Sequence, residues 1–435
     1  METAELKNRV CRAIDEHAAG IIRLAEAVAA QPELGFKEHK TAAKVAAFLQ
    51  ELGYSCREGL ALTGVRAELA AAGTGPNIAV LGELDAVICP DSEQADPLTG
   101  AAHTCGHHLQ LAAMAGAALG LKLADAAAEL SGRVTFMAVP AEEFVEIAYR
   151  QKLREEGRIH FLGGKQELIY RGEFDDIDMA MMVHSQKNAP QPLVAIGESS
   201  NGFIGKTIRY IGREAHAAEA PQEGVNALNA AMLGLMGIHA LRETFYEQDI
   251  VRVHPIITKG GDLVNTVPAD VRLETYVRAK TMAAIDATHR KVDQALAAGG
   301  LAVGAETVIH TIPGYLPLDC REELNSLFSA NAARFLPPER LVRIGHFSAS
   351  TDMGDVSQLM PAIHPYVGGV DGALHTRQFK VINYQAAAIL PAKLLAMTVI
   401  DLLAEQAQQA RRVLAGFTPK LTKQQYIALL QGYFS

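Results

Sequence analysis

The sequence predicts an α/β fold in which a mostly parallel sheet, covered by helices, is interrupted by a smaller α+β unit. Three observations carry that expectation. Apolar runs such as "NIAVLGELDAV", "GRVTFMAVPAEE" and "DMAMMVHSQ" alternate with helical patterns, as strands buried on both faces do. From about residue 197 the texture changes to half-exposed strands with period-two alternation, "GKTIRYIGREAH" and "ADVRLETYVRA". After "PGYLP" the first texture returns. These features predict a discontinuous domain over residues 1–196 and 312–413, an inserted unit over 197–311, and a tail over 414–435 with no assigned role. An insert of roughly 110 residues is within the usual size of a domain.

The elements follow in order. In "TAAKVAAFLQELGY", Val45, Phe48, Leu49 and Leu52 recur at helical spacing, and Gly53 is a stop signal. "LQLAAMAGAALGLKLA" reads as an alanine-rich helix. In the insert, "NALNAAMLGLMGIHALRE" and "TMAAIDATHRKVDQALAAGG" read as two helices, and "RVHPIITKGG" as a further strand region. The late segment "AAAILPAKLLAMTVIDLLAEQ" reads as a packed helix. Pro391, Lys393 and Asp401 interrupt any run of about 18 apolar residues, so no membrane span is expected.

Composition narrows the function classes. The chain has 435 residues, 49% hydrophobic and 20% charged, enough to bury real cores. The formal charge is -9 and no basic run occurs, so nucleic acid is not an expected partner. Cysteines stand at 11, 56, 89, 105 and 320, an odd number at wide spacing and a poor disulfide framework. The start, "METAELKNRVCRAIDEH", is charged and amphipathic rather than a signal peptide. A cytoplasmic protein with reduced thiols is the expectation.

Chemistry-bearing residues collect where strands end. "ELDA" supplies Glu83 and Asp85, "PAEE" supplies Glu142 and Glu143, and "MMVHS" supplies His184. "HTCGHH", with His103, Cys105, His107 and His108, leads into a helix. In parallel α/β sheets the C-terminal strand ends line one crevice, where ligands bind. Thiolate, imidazole and carboxylate are the usual ligands of zinc-like ions. On an extended loop Cys105 and His107, two residues apart, would point to one side. Adjacent Glu142 and Glu143 would diverge, one toward metal and the other toward substrate as a base. That division suits metal-assisted hydrolysis.

The motifs "GELDA", "HTCGHH", "PAEE", "AHAAEAPQEGVNALNAAM", "STDMGDVS" and "LHT" resemble those of the M20 family of metallopeptidases and amidohydrolases. The likeness runs from "QPELGFKEHKTAAKVAAFL" to the helix near Leu403 and is strongest to the N-acyl-amino-acid and aminobenzoyl-glutamate hydrolases. It implies a zinc-peptidase-like catalytic domain carrying a lid and dimerisation domain. It also implies two divalent ions, of zinc, manganese, cobalt or nickel, held by Cys105 as a bridging thiolate with His107, Glu143, His184 and His375. Glu142 matches the general base. His216, from the insert, matches a histidine that reaches the partner subunit's site and stabilises the oxyanion. Asn265 matches a lid position near the substrate, and the insert matches the surface of a homodimer.

Other positions are read with less support from the motifs. Asp85 is expected to orient a ligand or the reactive water. His108 stands where the family commonly has aspartate or asparagine, and it is expected at the substrate pocket. Glu83 replaces a common aspartate. Cys89 is placed near the pocket, His103 in the scaffold and Arg278 on an exposed strand. Ser350, Thr351 and Asp352 are expected to bond near the ligands, while His254, His310, His346 and His364 receive no role. The expected reaction is hydrolysis of an N-acyl amino acid or related small amide with a free carboxylate. A dipeptidase or exopeptidase of the same fold is the alternative, and a metal-binding protein without turnover the remote one. A Cys105 nucleophile with His107 as base would leave Glu142, Glu143, His184 and His375 unexplained.

Overall fold

A computed structural model describes residues 2–71 and 73–434. The chain forms two compact units: Met1–Ser199 with Asp319–Phe347 and Asp355–Lys423, and Ser200–Leu318 with Ser348–Gly354 and Gln424–Ser435.

The larger unit is built on a six-stranded sheet. Its spatial order is Cys56–Leu60, Gly64–Ala70, Ser131–Val139, Gly73–Glu83, Met179–Met181 and Ala362–Ile363. The last four run parallel, and the first two add an antiparallel hairpin at one edge. Register fixes the site. Glu83 pairs with Val139 at the common C-terminal end, so Asp85 and Pro140–Glu143 leave the sheet side by side. Val80 pairs with Met181, which brings His184 to the same end.

Helix His107–Leu123 is the middle of this unit, buried continuously from His107 to Leu121. Its small residues explain that position. A Cβ on Gly120 would lie 2.6 Å from Ile14, and one on Gly116 would lie 2.9 Å from Ala392. Side chains there would push away helices Glu2–Glu16 and Leu390–Ala415, which pack on it. Gln385–Ala415 is long and apolar enough to cross a membrane by composition, yet 89% of its most apolar stretch is buried inside the protein. Ala404–Ala407 interrupt its helical backbone.

In the smaller unit, Arg252–Val253, Asp270–Ala279, Gly202–Ile211 and Glu306–Pro313 form an antiparallel sheet, and Ile256–Lys259 adds to Asp270–Ala279. Alternation behaves as expected: Ile208 and Tyr210 are buried while Arg209 between them is exposed. Helices Ala227–Leu241 and Met282–Val303 pack at Gly299, where a Cβ would meet the Ala230 carbonyl at 2.4 Å. Asn226 caps the first helix and Thr281 the second.

Two segments depart from the sequence expectation. Ser348–Gly354, expected in the catalytic domain, belongs to the smaller unit, where Arg278 donates to Ser350 Oγ at 2.7 Å. The tail is not a structureless end. It contains helix Lys423–Gln431, and the Tyr433 hydroxyl donates to Asp286 on helix Met282–Val303. Neither contact pairs residues near in sequence, so local pattern gave no sign of it.

Candidate metal centre

Five potential donors meet at the strand ends of the larger unit. The route of Cys105 to His107 differs from the extended loop expected. Gly106 adopts φ +90°, and His107 is already the first residue of the helix. Glycine is required there for a second reason: a Cβ would lie 2.4 Å from Ser185 Oγ, on the strand that carries His184. The left-handed step brings Cys105 to the other residues. Its Sγ is 3.4 Å from His184 Nε2 and 3.2 Å from His375 Nε2. His375 comes from a distant loop, tied by its amide to the Thr104 carbonyl at 3.0 Å.

Two donor groups share the thiolate: Cys105, His107 and His184 form one, and Cys105, Glu143 and His375 the other. A third group joins Glu83, His107 and Glu142. The adjacent glutamates do diverge. Glu143 Oε1 lies 3.0 Å from His375 Nε2, whereas Glu142 Oε2 lies 3.9 Å from His107 Nε2. The far nitrogens of the imidazoles are already occupied. His107 Nδ1 donates to the Asp85 carbonyl at 2.8 Å, and His184 Nδ1 to the Ser185 carbonyl at 3.0 Å. That fixes the tautomer leaving Nε2 toward the cluster, as in metal-binding histidines. His107 Nε2 and Glu143 Oε1 are buried without a hydrogen-bond partner. Buried polar atoms are rarely left so, and here they point at the space between donors that suit zinc-like ions.

The electrostatics agree. Burial and Glu143 push the Cys105 thiol up, but His184, His107 and His375 prevail and bring it to about 6. Glu143, then Cys105, push His375 up to about 12 against burial. Burial works against the Glu143 carboxylate, yet His375 and His107 hold it at about 2. Negative donors and imidazolium protons therefore stabilise one another, and a divalent cation would replace those protons.

Asp85 holds parts in place. It is fully buried, with Oδ1 3.2 Å from His107 Nδ1 and Oδ2 accepting from the Glu143 amide at 2.8 Å. His108 is not at an open pocket surface. It is buried with its ring 5.3 Å from His103, and burial followed by His107 depresses it to about 3. The physical reason is the early helix start, which turns His108 into the packed helix. Cys89 is also buried.

His216 and Asn265 lie in the smaller unit and come together there. His216 bridges Thr266, and the Ala217 amide donates to the Asn265 carbonyl at 2.9 Å. Both residues are exposed. His216 Nδ1 accepts from the Glu219 amide at 3.0 Å, so the neutral ring carries its proton on Nε2.

Sequence reasoning missed the support beneath the donors. Glu83 Oε1 accepts from Lys165 at 2.7 Å, while Oε2 accepts from Gln110 at 2.9 Å and lies 3.1 Å from His107 Nε2. Burial opposes the Glu83 charge, but Lys165, His107 and His184 hold the carboxyl well below its ordinary value. Removing one partner of such a buried pair costs ~3–5 kcal/mol, because the other charge is stranded. Gln110 was findable, one helical turn after His107. Lys165 begins a helix in a segment with no motif.

The peptidase dimerisation domain family matches residues 199–302. The chain is 32% identical to the Xaa-Arg dipeptidase of Mus musculus, over 92% of this chain and 90% of that protein. It is 28% identical to a p-aminobenzoyl-glutamate hydrolase of Escherichia coli, over 73% of this chain and 62% of that protein. In structure it resembles a dinuclear metal-binding M20 peptidase from Bacillus subtilis, with TM-score 0.67, 20% identity, and coverage of 89% of this chain and 99% of that one.

Proposed function

The chain belongs to the M20 family of metallopeptidases and amidohydrolases, hydrolases of amide and peptide bonds, and from that premise we propose that it cleaves small amides ending in an amino acid with a free carboxylate. The observation that carries the proposal is a thiolate shared by two donor groups, with Glu142 beside them but in neither. Cys105, His107 and His184 would hold one divalent ion, and Cys105, Glu143 and His375 the other. Such ions supply a water that ionises near neutral pH and a Lewis acid for the carbonyl. Glu142 takes the proton from the attacking water and returns it to the leaving amine. Asp85 keeps His107 and the Glu143 backbone in register for that transfer. The His216 Nε2 proton, on the tautomer set by Glu219, is donated to the tetrahedral oxyanion.

The finer substrate reading has two arms, an N-acyl amino acid or a dipeptide. Similarity to the Xaa-Arg dipeptidase over nearly the whole chain favours the dipeptide. We place the working enzyme as a homodimer through the smaller unit. The match to a dimerisation domain supports this, as do Met232, Leu233 and Met236, exposed together on helix Ala227–Leu241, and Ile256 on a sheet edge. All five cysteines are free, which suits a cytoplasmic location.

The test is hydrolysis of matched dipeptides and N-acyl amino acids after chelation and reconstitution with zinc, manganese, cobalt or nickel. Wild type should turn over one set only when metal is restored. Glu142→Gln should bind metal as wild type does and lose turnover by ~10⁴-fold or more, near 5 kcal/mol of barrier. Near-normal turnover in that variant would remove Glu142 as the base.

A further inference from the structure

The N-terminal stretch "QPELGFKEH" has no place in the chemistry above, yet Gly35, Phe36 and Glu38 all reach the turn that carries Glu142 and Glu143. We propose that Arg150, seated over Gly35, is a positioning residue that clamps this turn and thereby sets the directions of both carboxylates. The proposal rests on the roles given above to Glu142 and Glu143.

The turn is strained. Ala141 has φ +52°, a left-handed conformation unfavourable for a residue with a Cβ. Something must therefore hold it. The Ala141 amide donates to Glu38 Oε1 at 2.8 Å. The Ala141 carbonyl accepts from Arg150 Nη1 at 3.2 Å and from the Gly164 amide at 3.2 Å. The Glu143 amide donates to Asp85, and the Glu143 carbonyl accepts from Arg150 Nη2. Backbone groups on either side of Glu142 are thus bonded to fixed partners, two of them to one guanidinium.

Arg150 is itself immobile. It is 1% exposed, its Nη1 also donates to the Leu162 carbonyl at 2.7 Å, and its guanidinium lies 5.4 Å from the Phe36 ring centre. A planar fork can serve three carbonyls from two chain segments at once, and a lysine ammonium cannot reproduce that geometry. Gly35 leaves the space. A Cβ there would fall 2.3 Å from Arg150 Nη2 and 3.0 Å from Ala141 Cα. Gly164 closes the other side, since a Cβ would fall 1.6 Å from the Pro140 carbonyl oxygen. The clamp therefore joins the N-terminal motif, the dicarboxylate turn and the segment around Leu162.

Two substitutions reach the clamp by different routes, Arg150→Lys from the guanidinium and Gly35→Ala from the space beneath it. Each is expected to lower kcat by at least tenfold with KM within about twofold. Each should also reduce metal bound per chain after gel filtration, because Glu143 no longer faces His375. Adding Ala141→Gly to Arg150→Lys should recover a large part of both losses, since glycine takes a positive φ without a clamp. Unchanged kcat and metal content in both single variants would overturn the proposal. So would losses that follow the melting temperature alone and are not recovered by Ala141→Gly. If Arg150→Lys proves insoluble, Gly35→Ala read by cobalt–thiolate absorption decides the question: an unaltered spectrum with unaltered kcat overturns it. Glu142→Gln separates this proposal from its premise, because turnover in that variant would sink the base assignment whatever Arg150 does.

Discussion

The donor cluster of the larger unit and the His216–Asn265 patch of the smaller one are built in opposite ways. In the cluster, Cys105, His107, Glu142 and Glu143 are buried, and the carboxylates, imidazoles and backbone around them are held by Asp85, Lys165, Gln110 and Arg150. In the patch, His216 and Asn265 are exposed, and what holds them is local backbone bonding between two loops. The difference teaches where preorganisation is spent. Groups that bind cations or move protons need fixed geometry in a low dielectric before substrate arrives. A donor on an exposed loop pair can instead engage only when another surface meets it, as lids and subunit-shared groups do.

That contrast can be broken by substitution. The larger effect belongs to the cluster. Cys105→Ser should drop bound metal by at least one ion per chain and turnover by ~10³-fold or more, about 4 kcal/mol of barrier. Elemental analysis of the purified protein reads the first quantity. Unchanged stoichiometry would show that the thiolate does not bridge. His216→Ala should leave metal content as in wild type and slow turnover by ~10²–10³-fold, the usual loss for one oxyanion donor. If metal content falls as well, the two regions are not independent in the way described. Mixing His216→Ala with Glu142→Gln protein should restore activity through mixed dimers, each carrying one intact site. No recovery would place His216 in its own subunit's reaction or outside the reaction altogether.

Much of the cluster was legible because its donors are rare residue types in short motifs at strand ends. Cys105, His107, Glu142, Glu143, His184 and His375 converge in space as their spacing and the family resemblance implied. The supporting groups were not legible. Lys165 and Arg150 meet the site through burial and tertiary contact, and nothing in their neighbouring residues marks an interior charge. His108 shows the opposite failure. A position that departs from the family motif suggested a pocket residue, but the helix begins at His107 and carries His108 inward. The same limit applies to the fold. Strand alternation and helix periodicity located the insert, while the joining of Ser348–Gly354 and Gln424–Ser435 to it depends on long-range bonds such as Arg278–Ser350.

The smallest expected effect concerns stability and touches only the buried region. Burial, then the nearby Asp85 charge, raise the Glu38 carboxyl from 4.5 to about 7. The folded chain therefore holds a proton there that the unfolded chain has already released across that window. By linkage, stability falls as pH rises from about 4.5 to about 7 and levels off above it. Glu38→Gln keeps an acceptor for the Ala141 amide but has no charge to bury, and Thr63 can reverse its hydroxyl to accept from the new amide. Chelated Glu38→Gln should therefore match chelated wild type near pH 4.5. At pH 8 it should be more stable by at most about 3 kcal/mol, the linkage equivalent of that shift. Urea unfolding at several pH values measures the difference. Parallel stability curves would mean that Glu38 is ionised in the folded protein at no cost, and that the interior beneath the turn is less dry than its burial implies.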